Sequence, residues 1–349
     1  MKKILKNVVG IDVAQNELVV CAGRLYEDLS CELFAHKTFT NNTKGFVSLL
    51  EWATKKETGV GIRFVMEATG VYHESVAYFL ADQQMDVSVI LPNKISNYFR
   101  TLAVKTITDK TASEAITQFG LERNLDNWPA PKGIYRKLRQ LTRERDQLVE
   151  SRTAVKNQLH AETAEAHPNK TSVARTKKRI AFLDKQEAEI KEELNELVNS
   201  DEEMKKLLII ISSIPGIGLL TALTVLAETN GFDLIRNKKQ LTSYAGLDVR
   251  EKQSGTSVKG KPKISKKGNR YIRKAMHFPA LTAIRHDERF KAIYARMVAK
   301  HGIKMKAAVA VQRKLLEMIF TIYKSRTAYD KEYFKKLESS LSHSLNRLA

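Results

Sequence analysis

The sequence predicts an α/β domain at the N-terminus, a helical coiled-coil middle region and a mostly α-helical C-terminal region. Three observations support this. Strand-like and helix-like segments alternate over residues 1–126, apolar residues recur at 3-4 spacing over 127–200, and short apolar helices flank a glycine-containing turn after residue 201. We expect four segments: 1–126, 127–200, 201–330 and a tail at 331–349.

The first segment is predicted to be a sheet covered by helices on both faces. Its apolar runs are short and rich in Val and Ile, which is typical of buried strands, and helix-like stretches separate most of them. We expect strands at 8–13, 17–22, 32–36, 62–67 and 87–91, and helices at 46–53, 72–83, 94–102 and 109–122.

The middle segment has the pattern of a helical hairpin. Pro129 and Pro131 disfavour helix and indicate a linker before it, and His167-Pro168-Asn169 divides it into two helices. Glu187 fills the one seam position of the second helix that is not apolar, and two arginines share the seam of the first. Packing within one chain and packing between protomers both fit this pattern. The seam residues are Leu138, Leu141, Arg145, Leu148, Arg152, Val155, Leu159, Ile180, Leu183, Ile190, Leu194 and Leu197.

A glycine-containing turn opens the C-terminal segment. Ile214-Pro215-Gly216-Ile217-Gly218 joins a predicted helix at Leu207–Ser213 to one at Leu219–Glu228, as in a helix-hairpin-helix. In such a turn Gly216 and Gly218 would let the backbone approach a phosphate, although other tight helical turns look similar. Further along, Val309–Tyr323 is the most apolar stretch and is predicted to be core.

Positive charge is concentrated in the C-terminal region. The chain carries 59 Lys and Arg against 39 Asp and Glu, a net charge of +20, and residues 201–349 hold 30 of the basic and 13 of the acidic residues. The densest run, 250–274, has ten basic residues and one acid. A solvated basic face is the simple interpretation, but so long a region of one sign favours a nucleic-acid partner.

Several protein classes are disfavoured by the composition. Cys21 and Cys31 are too few for a disulfide framework, and no apolar window reaches membrane-spanning length. The N-terminus lacks the features of a signal peptide, so we expect a cytoplasmic protein with no membrane partner. Zinc-protease, Cys-x-x-Cys and Walker A motifs are absent from the sequence.

Three carboxylates are the strongest candidates for chemistry. Asp12 lies inside an apolar run, Glu67 ends a second one, and Asp109 opens a helix. Acids at adjacent strand ends and on a neighbouring helix can converge on two divalent cations, which stabilise the attacking and leaving oxygens at phosphorus. Taken singly, Asp12 also fits a turn carboxylate and Asp109 a helix N-cap.

The order of the motifs resembles a known family. Gly10-Ile11-Asp12-Val13, Glu67-Ala68-Thr69-Gly70 and Thr108-Asp109-Lys110 look like a RuvC-like ribonuclease H fold. With the motifs of the second half, the chain resembles bacterial insertion-sequence transposases of the DEDD type, family one hundred and ten, related to the Piv DNA invertases. Those motifs are Ile214-Pro215-Gly216-Ile217-Gly218, Tyr244-Ala245-Gly246-Leu247, Gln253-Ser254-Gly255-Thr256-Ser257, Ile264-Ser265-Lys266-Lys267-Gly268-Asn269 and Ile272-Arg273.

The resemblance implies a specific function. It implies an RNA-guided recombinase in which a bridge-type non-coding RNA pairs with donor and target DNA, and in which Asp12, Glu67 and Asp109 bind Mg²⁺ (or Mn²⁺). By motif, Ser254 is the nucleophile that forms a covalent phosphoserine linkage, with Ser257 as the nearby competitor. Homodimers and homotetramers are implied, with the serine of one protomer completing the carboxylate site of another. The basic residues expected to hold nucleic acid are Lys259, Lys261, Lys263, Lys266, Lys267, Arg270 and Arg273.

One position departs from the family pattern. The family carries a fourth carboxylate three residues after Asp109, where this chain has Ala112. Ser113, near the same helix face, is the candidate for a weak replacement ligand. Ala112 therefore keeps open a non-catalytic DNA- or RNA-binding relative. The other alternative is a RuvC-like metal-dependent nuclease, which uses activated water and needs no serine.

Overall fold

The computed structural model forms two compact units, Met1–Ala130 and Pro131–Ala349. For residues 253, 254, 258 and 259 the structure describes the backbone but not the side chains. The described residues are 2–68, 70–102, 106, 108–233, 235–251, 253–254, 258–260 and 263–332. Lys261, Ser257 and most of the predicted tail lie outside them.

The first unit is built on a five-stranded mixed sheet. The first three strands form an antiparallel meander, the last two run parallel to the first, and the order across the sheet is 3-2-1-4-5. This is the RuvC-like arrangement that the motifs indicate. The strands are β1 (Ile4–Val13), β2 (Glu17–Tyr26), β3 (Cys31–Thr40), β4 (Ile62–Glu67) and β5 (Asp86–Ile90).

Helices cover both faces of this sheet. They are α1 (Thr43–Thr54), α2 (Glu74–Asp82), α3 (Pro92–Phe99) and α4 (Asp109–Glu122). On one face, α1 and α2 pack against Val9, Ile11 and other strand residues of the same parity. On the other face, α3 and α4 pack against Val8 and Val65. Because side chains alternate along a strand, this parity fixes which face each later residue of β1 and β4 lies on.

Two long helices form a hairpin in the second unit. They are α5 (Gly133–Thr163) and α6 (Lys170–Asn199), and Asn169 caps the second by accepting from the backbone N–H groups of Thr171 and Ser172. As predicted, the seam holds buried leucines and the buried acid Glu187. Glu187 binds Arg145, Lys191 and, through a short hydrogen bond, Arg152. The hairpin's base shares one hydrophobic core with the helices that follow it.

The remaining helices pack around that core. They are α7 (Glu202–Ser212), α8 (Leu219–Glu228), α9 (Lys238–Tyr244), α10 (Arg270–Ala275), α11 (His277–His286), α12 (Glu288–His301) and α13 (Lys304–Ser325). The predicted apolar stretch of α13 is core, with Leu315 and Ile319 fully buried. Within the described residues, no helix is both long and apolar enough to cross a membrane.

A short β-hairpin connects α9 to α10. In one ladder β6 (Val249–Arg250) pairs with β9 (Lys263–Ile264), and in the other β7 (Gln253–Ser254) pairs with β8 (Val258–Lys259). The second ladder is nested inside the first along the chain. The candidate nucleophile Ser254 therefore lies near the tip, paired in register with Val258.

Candidate active site

Asp12 and Glu67 lie on the same face of the first sheet. Val8 and Val65 both pack on the α3–α4 face, and Asp12 and Glu67 follow them by even numbers of residues. The parallel pairing of β1 with β4 registers Ile11 with Met66, so the two acids end adjacent strands at the same edge. Both side chains are half-buried.

Helix α4 approaches these acids because β1 carries a glycine. A Cβ added at Gly10 would lie 2.3 Å from the hydroxyl oxygen of Thr117 and 2.5 Å from its backbone nitrogen. Thr117 in turn donates its hydroxyl to the carbonyl of Cys21 on β2, at 3.0 Å. The helix thus rests directly on the strand backbone, two residues from Asp12.

Asp109 stands at the first position of α4. Thr108 is the N-cap, and its side chain and that of Thr111 form a reciprocal capping box. Thr108 therefore performs the capping role that the sequence left open for Asp109, and the Asp109 side chain is exposed. This frees its carboxylate to face the sheet edge or a ligand.

The charges of Asp109 and Glu67 both act on Asp12. Burial is the largest cause of a raised Asp12 pKa, and together with the negative charges of Asp109 and Glu67 it brings that pKa to about 6. Among the described residues, no group of three His, Cys, Asp or Glu side chains is placed as a ready metal site. The donor chemistry nevertheless fits a hard divalent cation, which binds carboxylate oxygens and would offset this repulsion.

The neighbours of Ala112 are already engaged. Ser113 is fully buried and donates its hydroxyl to the carbonyl of Lys110 at 2.7 Å, which ties it to its own helix. Glu114 binds the Nε2 atom of His36 on β3 at 2.9 Å. Neither residue takes the place of the missing carboxylate in this structure.

The basic residues around the hairpin divide into two groups. Lys263, Lys266, Lys267 and Arg270 are exposed. Arg273 is half-buried, and its Nη1 atom donates to the carbonyl oxygens of Ala245, Gly268 and Asn269. Arg273 therefore has a structural role of its own. Of Lys259 only the backbone is described.

The two glycines of the helical turn differ in their surroundings. Gly216 has a φ of +84°, and a Cβ there would meet the carbonyl oxygen of Pro279 at 2.5 Å, so this glycine lets α11 pack against the turn. Gly218 begins α8 as its N-cap, and nothing lies within 4 Å of a Cβ built there. Only Gly218 thus faces open space.

Sequence reasoning missed several contacts of these sites. The Gly10–Thr117 contact had a signal, because a glycine inside an apolar strand indicates close approach of another backbone. The pairing of Glu114 with His36 had none, because the two residues belong to elements that meet only in the fold.

Comparison with known proteins identifies the family. Residues 9–168 match the model of the DEDD transposase domain of IS110, and residues 209–295 match the model of the IS116/IS110/IS902 transposase family. The chain belongs to this transposase family. The resemblance and the RuvC-like fold class expected from the sequence are thereby confirmed.

Relatives extend the similarity of the transposase over nearly its whole length. The pilin gene-inverting protein of Moraxella lacunata is 26% identical, over 93% of this chain and 98% of the relative. The transposase of insertion element IS1111A of Coxiella burnetii is 23% identical, over 76% of this chain and 78% of the relative. The solved RuvC of T. thermophilus, in complex with a Holliday junction substrate, aligns with a TM-score of 0.28 and 9% identity, over 35% of this chain and 99% of that chain.

The family assignment fixes the broad activity. The transposase is an enzyme of DNA transposition and recombination, and its DEDD domain implies the use of divalent metal ions.

Proposed function

We propose that this transposase cuts and rejoins DNA through a covalent intermediate on Ser254, with Mg²⁺ held by Asp12, Glu67 and Asp109. The observation that carries the metal site is the convergence of Asp12 and Glu67 on one strand edge, where the charge of Asp109 also acts on Asp12. A DNA phosphodiester is the substrate that a divalent-metal carboxylate site and a basic surface both suit.

The chemical step balances without an external energy source. The Ser254 hydroxyl oxygen bonds to phosphorus, its proton passes to solvent, and the bond from phosphorus to one deoxyribose oxygen breaks. That oxygen takes up a proton and leaves as a free hydroxyl. Attack by a hydroxyl of a second DNA end on the phosphoserine reverses these bonds and joins the strands.

The residues of the chain have separate tasks in this scheme. Bound Mg²⁺ would supply stabilisation of the charge that develops at phosphorus. The hairpin carries Ser254 near its tip, where it pairs with Val258. Lys263, Lys266, Lys267 and Arg270, all exposed, hold the phosphates flanking the strand to be cut.

We also propose the partners that accompany this chemistry. A bridge-type non-coding RNA selects donor and target DNA by base pairing, and the protein acts as a homodimer or homotetramer. The large excess of positive charge in residues 201–349 supports binding of both RNA and DNA.

The test is recombination between a donor and a target plasmid in Mg²⁺, with and without the RNA from the element's flank. Wild-type protein should yield recombinant product only with RNA, and a protein–DNA adduct that survives denaturation. Ser254→Ala should abolish the adduct, whereas the matched control Ser257→Ala should retain it. An adduct formed by Ser254→Ala would show that the nucleophile is misassigned, and cleavage without any adduct would favour a water-using nuclease.

A non-catalytic nucleic-acid-binding protein is the second candidate. The observation that favours it is Ala112, because Ser113 and Glu114 are engaged elsewhere and supply no fourth carboxylate. This candidate predicts tight, salt-sensitive binding of DNA and RNA by wild-type protein with no Mg²⁺-dependent product.

A further inference from the structure

The hairpin that carries Ser254 is fastened where it leaves the helical core. Its two ends run side by side: the Asn269 N–H donates to the Tyr244 carbonyl at 2.7 Å, and the Lys266 N–H donates to the Gly246 carbonyl at 3.1 Å. One step further out, Ser265 donates its backbone N–H to the Asp248 carbonyl at 2.9 Å and its hydroxyl to the Asp248 carboxylate at 2.5 Å. We call these residues, 244–248 and 265–269, the hairpin root.

Glu228 accepts hydrogen bonds from both ends of the hairpin root. Its carboxylate oxygen Oε2 accepts from the Asn269 side-chain amide at 2.6 Å, and its backbone carbonyl accepts from the Tyr244 hydroxyl at 2.8 Å. Glu228 is the last residue of α8 and is only 3% exposed. One buried residue therefore joins the end of α9, where the chain enters the hairpin, to the N-cap of α10, where the chain leaves it.

Arg143 keeps this carboxylate in place. Its Nε and Nη2 atoms donate to the two carboxylate oxygens of Glu228 at 2.7 and 2.8 Å, a two-pronged arrangement that fixes the orientation of the acid. The hydrogen bonds to Glu228 also raise the pKa of Arg143. Since Arg143 belongs to α5, the hairpin root is anchored to the long helical hairpin as well as to α8.

Asn269 links Glu228 to the next helix, α10. Its side-chain oxygen caps α10 by accepting from the N–H groups of Tyr271 and Ile272 at 2.9 and 3.0 Å, while its amide group donates to Glu228. Both ends of the side chain are thus used, which allows a single orientation of the residue. The direction in which the outgoing side of the hairpin enters α10 follows from that orientation.

We propose that Glu228 is a positioning residue that fixes the hairpin root and thereby places Ser254 for attack on DNA. This inference rests on the proposed role of Ser254 as nucleophile. A buried ion pair is weak support for stability compared with apolar packing of the same volume, and its better use is to specify one arrangement. A nucleophile on a two-stranded hairpin needs such a device, because its attack geometry tolerates little displacement.

The experiment compares adduct formation with DNA binding in full-length protein. Glu228→Gln keeps the shape of the side chain but replaces one of its two acceptor oxygens with an amide donor, so the donors of Arg143 and Asn269 can no longer all be satisfied. We expect the rate of adduct formation at saturating DNA to fall by about tenfold or more, with the dissociation constant for DNA changed less than about twofold. Thr224→Ala, one turn earlier on α8 and without a bond to the hairpin root, is the matched control and should keep the wild-type rate.

A compensating change separates positioning from loss of fold. In the double variant Glu228→Gln with Asn269→Asp, the new amide can donate to the new carboxylate, and aspartate still caps α10. We expect the double variant to recover much of the rate, and Asn269→Asp alone to stay slow because two carboxylates then face each other. Recovery supports positioning, while failure of the double variant to recover at unchanged thermal midpoint overturns it.

A milder variant covers the case in which Glu228→Gln does not fold. Tyr244→Phe removes the hydroxyl bond to the Glu228 carbonyl and keeps the ring. A slower adduct rate with unchanged DNA affinity supports the inference, and a wild-type rate overturns it. An adduct that persists in Ser254→Ala would instead count against the proposed nucleophile, so the two failures are distinguishable.

Discussion

Gly10 and Thr117 are in direct contact, with the backbone of β1 lying against the side chain and backbone nitrogen of α4. There is no room for a methyl group between them, since a Cβ at Gly10 would lie 2.3 Å from the Thr117 hydroxyl oxygen. This contact sets the distance between the strand that carries Asp12 and the helix that carries Asp109. It is therefore the point at which packing in the first unit bears on the proposed metal site.

Gly10→Ala should damage both stability and activity. Because backbone atoms of α4 block the methyl group, the helix must move, and overpacking of this kind costs about 1–3 kcal/mol. We expect a lower midpoint in denaturant and a weaker response to Mg²⁺. Gly61→Ala is the control, because nothing lies within 4 Å of its Cβ. Equal behaviour of the two variants would contradict the close-approach argument.

Asp12→Asn should stabilise the protein in the absence of metal. Asp12 is half-buried, and its negative charge is opposed by burial and by Asp109 and Glu67, so a neutral amide removes an unfavourable charge. Differential scanning fluorimetry in a chelator should show a higher thermal midpoint than wild type, and added Mg²⁺ should no longer raise it. Asp82→Asn, an exposed position of α2, should leave both values unchanged. A Mg²⁺ response retained by Asp12→Asn would remove this residue from the ligand set.

Glu187 should make stability fall in acid. Burial alone would raise its pKa, but hydrogen bonds from Lys191 and Arg152 and the charge of Arg145 lower it to about 2. A lowered pKa means that the stabilisation is complete above the unfolded value of 4.5 and is lost as pH falls toward 2. Glu187→Gln should cost about 3 kcal/mol at neutral pH and flatten this part of the stability curve, as measured by urea unfolding.

The control for Glu187 lies on the same helix. Glu189 is largely exposed, with its carboxylate 3.8 Å from Lys185. Glu189→Gln should change the free energy of unfolding by less than about 0.5 kcal/mol and keep the acid dependence of wild type. A similar loss of unfolding free energy in both variants would mean that the cluster of Arg145, Arg152 and Glu187 stabilises the protein no more than an exposed ion pair does.

The sequence carried enough information to predict the sheet and helices of the first unit and to single out its three carboxylates as candidates. The central strands β1 and β4 are short runs rich in apolar residues, and an acid such as Asp12 inside an apolar run has few explanations other than a site or a turn. Glu187 was also recognisable, since it interrupts an apolar seam that Arg145 and Arg152 share. In each case the signal lies within one element or between two neighbouring elements.

The hairpin root was beyond sequence reasoning. Glu228 ends an apolar helix and looks like an ordinary solvated terminus, yet its partners Arg143 and Asn269 lie 85 and 41 residues away. The strands of the hairpin that carries Ser254 are two residues long each and rich in polar residues, so no apolar alternation indicates them. Such features depend on which helices meet, and this is decided by packing of the whole core.

Lys267 and Arg273 should respond differently to substitution, although both belong to the basic run. Lys267→Gln, at an exposed position, should weaken DNA binding and reduce the slope of log affinity against log salt by about 1, with no change in thermal midpoint. Arg273→Gln should lower the thermal midpoint, because the carbonyls of Ala245 and Gly268 lose their donor. Lys44→Gln, exposed at the start of α1, controls for the loss of one charge. Equal salt slopes in Lys44→Gln and Lys267→Gln would argue against a local DNA contact.

Ala112→Asp should strengthen metal binding if the site lies where we propose. The new carboxylate would stand one helical turn after Asp109, on the face of α4 that carries that acid, and would add a fourth oxygen donor. We expect Mg²⁺ affinity by calorimetry to rise by about tenfold, while the metal-free protein becomes less stable because another negative charge joins Asp12, Glu67 and Asp109. Ala112→Asn has nearly the same shape without the charge and should show neither effect. If both variants bind Mg²⁺ as wild type does, the first turn of α4 does not face the metal.

The same variant also tests whether wild type is catalytic. A gain in adduct formation by Ala112→Asp over an active wild type would show that three carboxylates suffice for the reaction and that a fourth improves it. Product from Ala112→Asp alone would instead identify the wild-type chain as the non-catalytic binding relative.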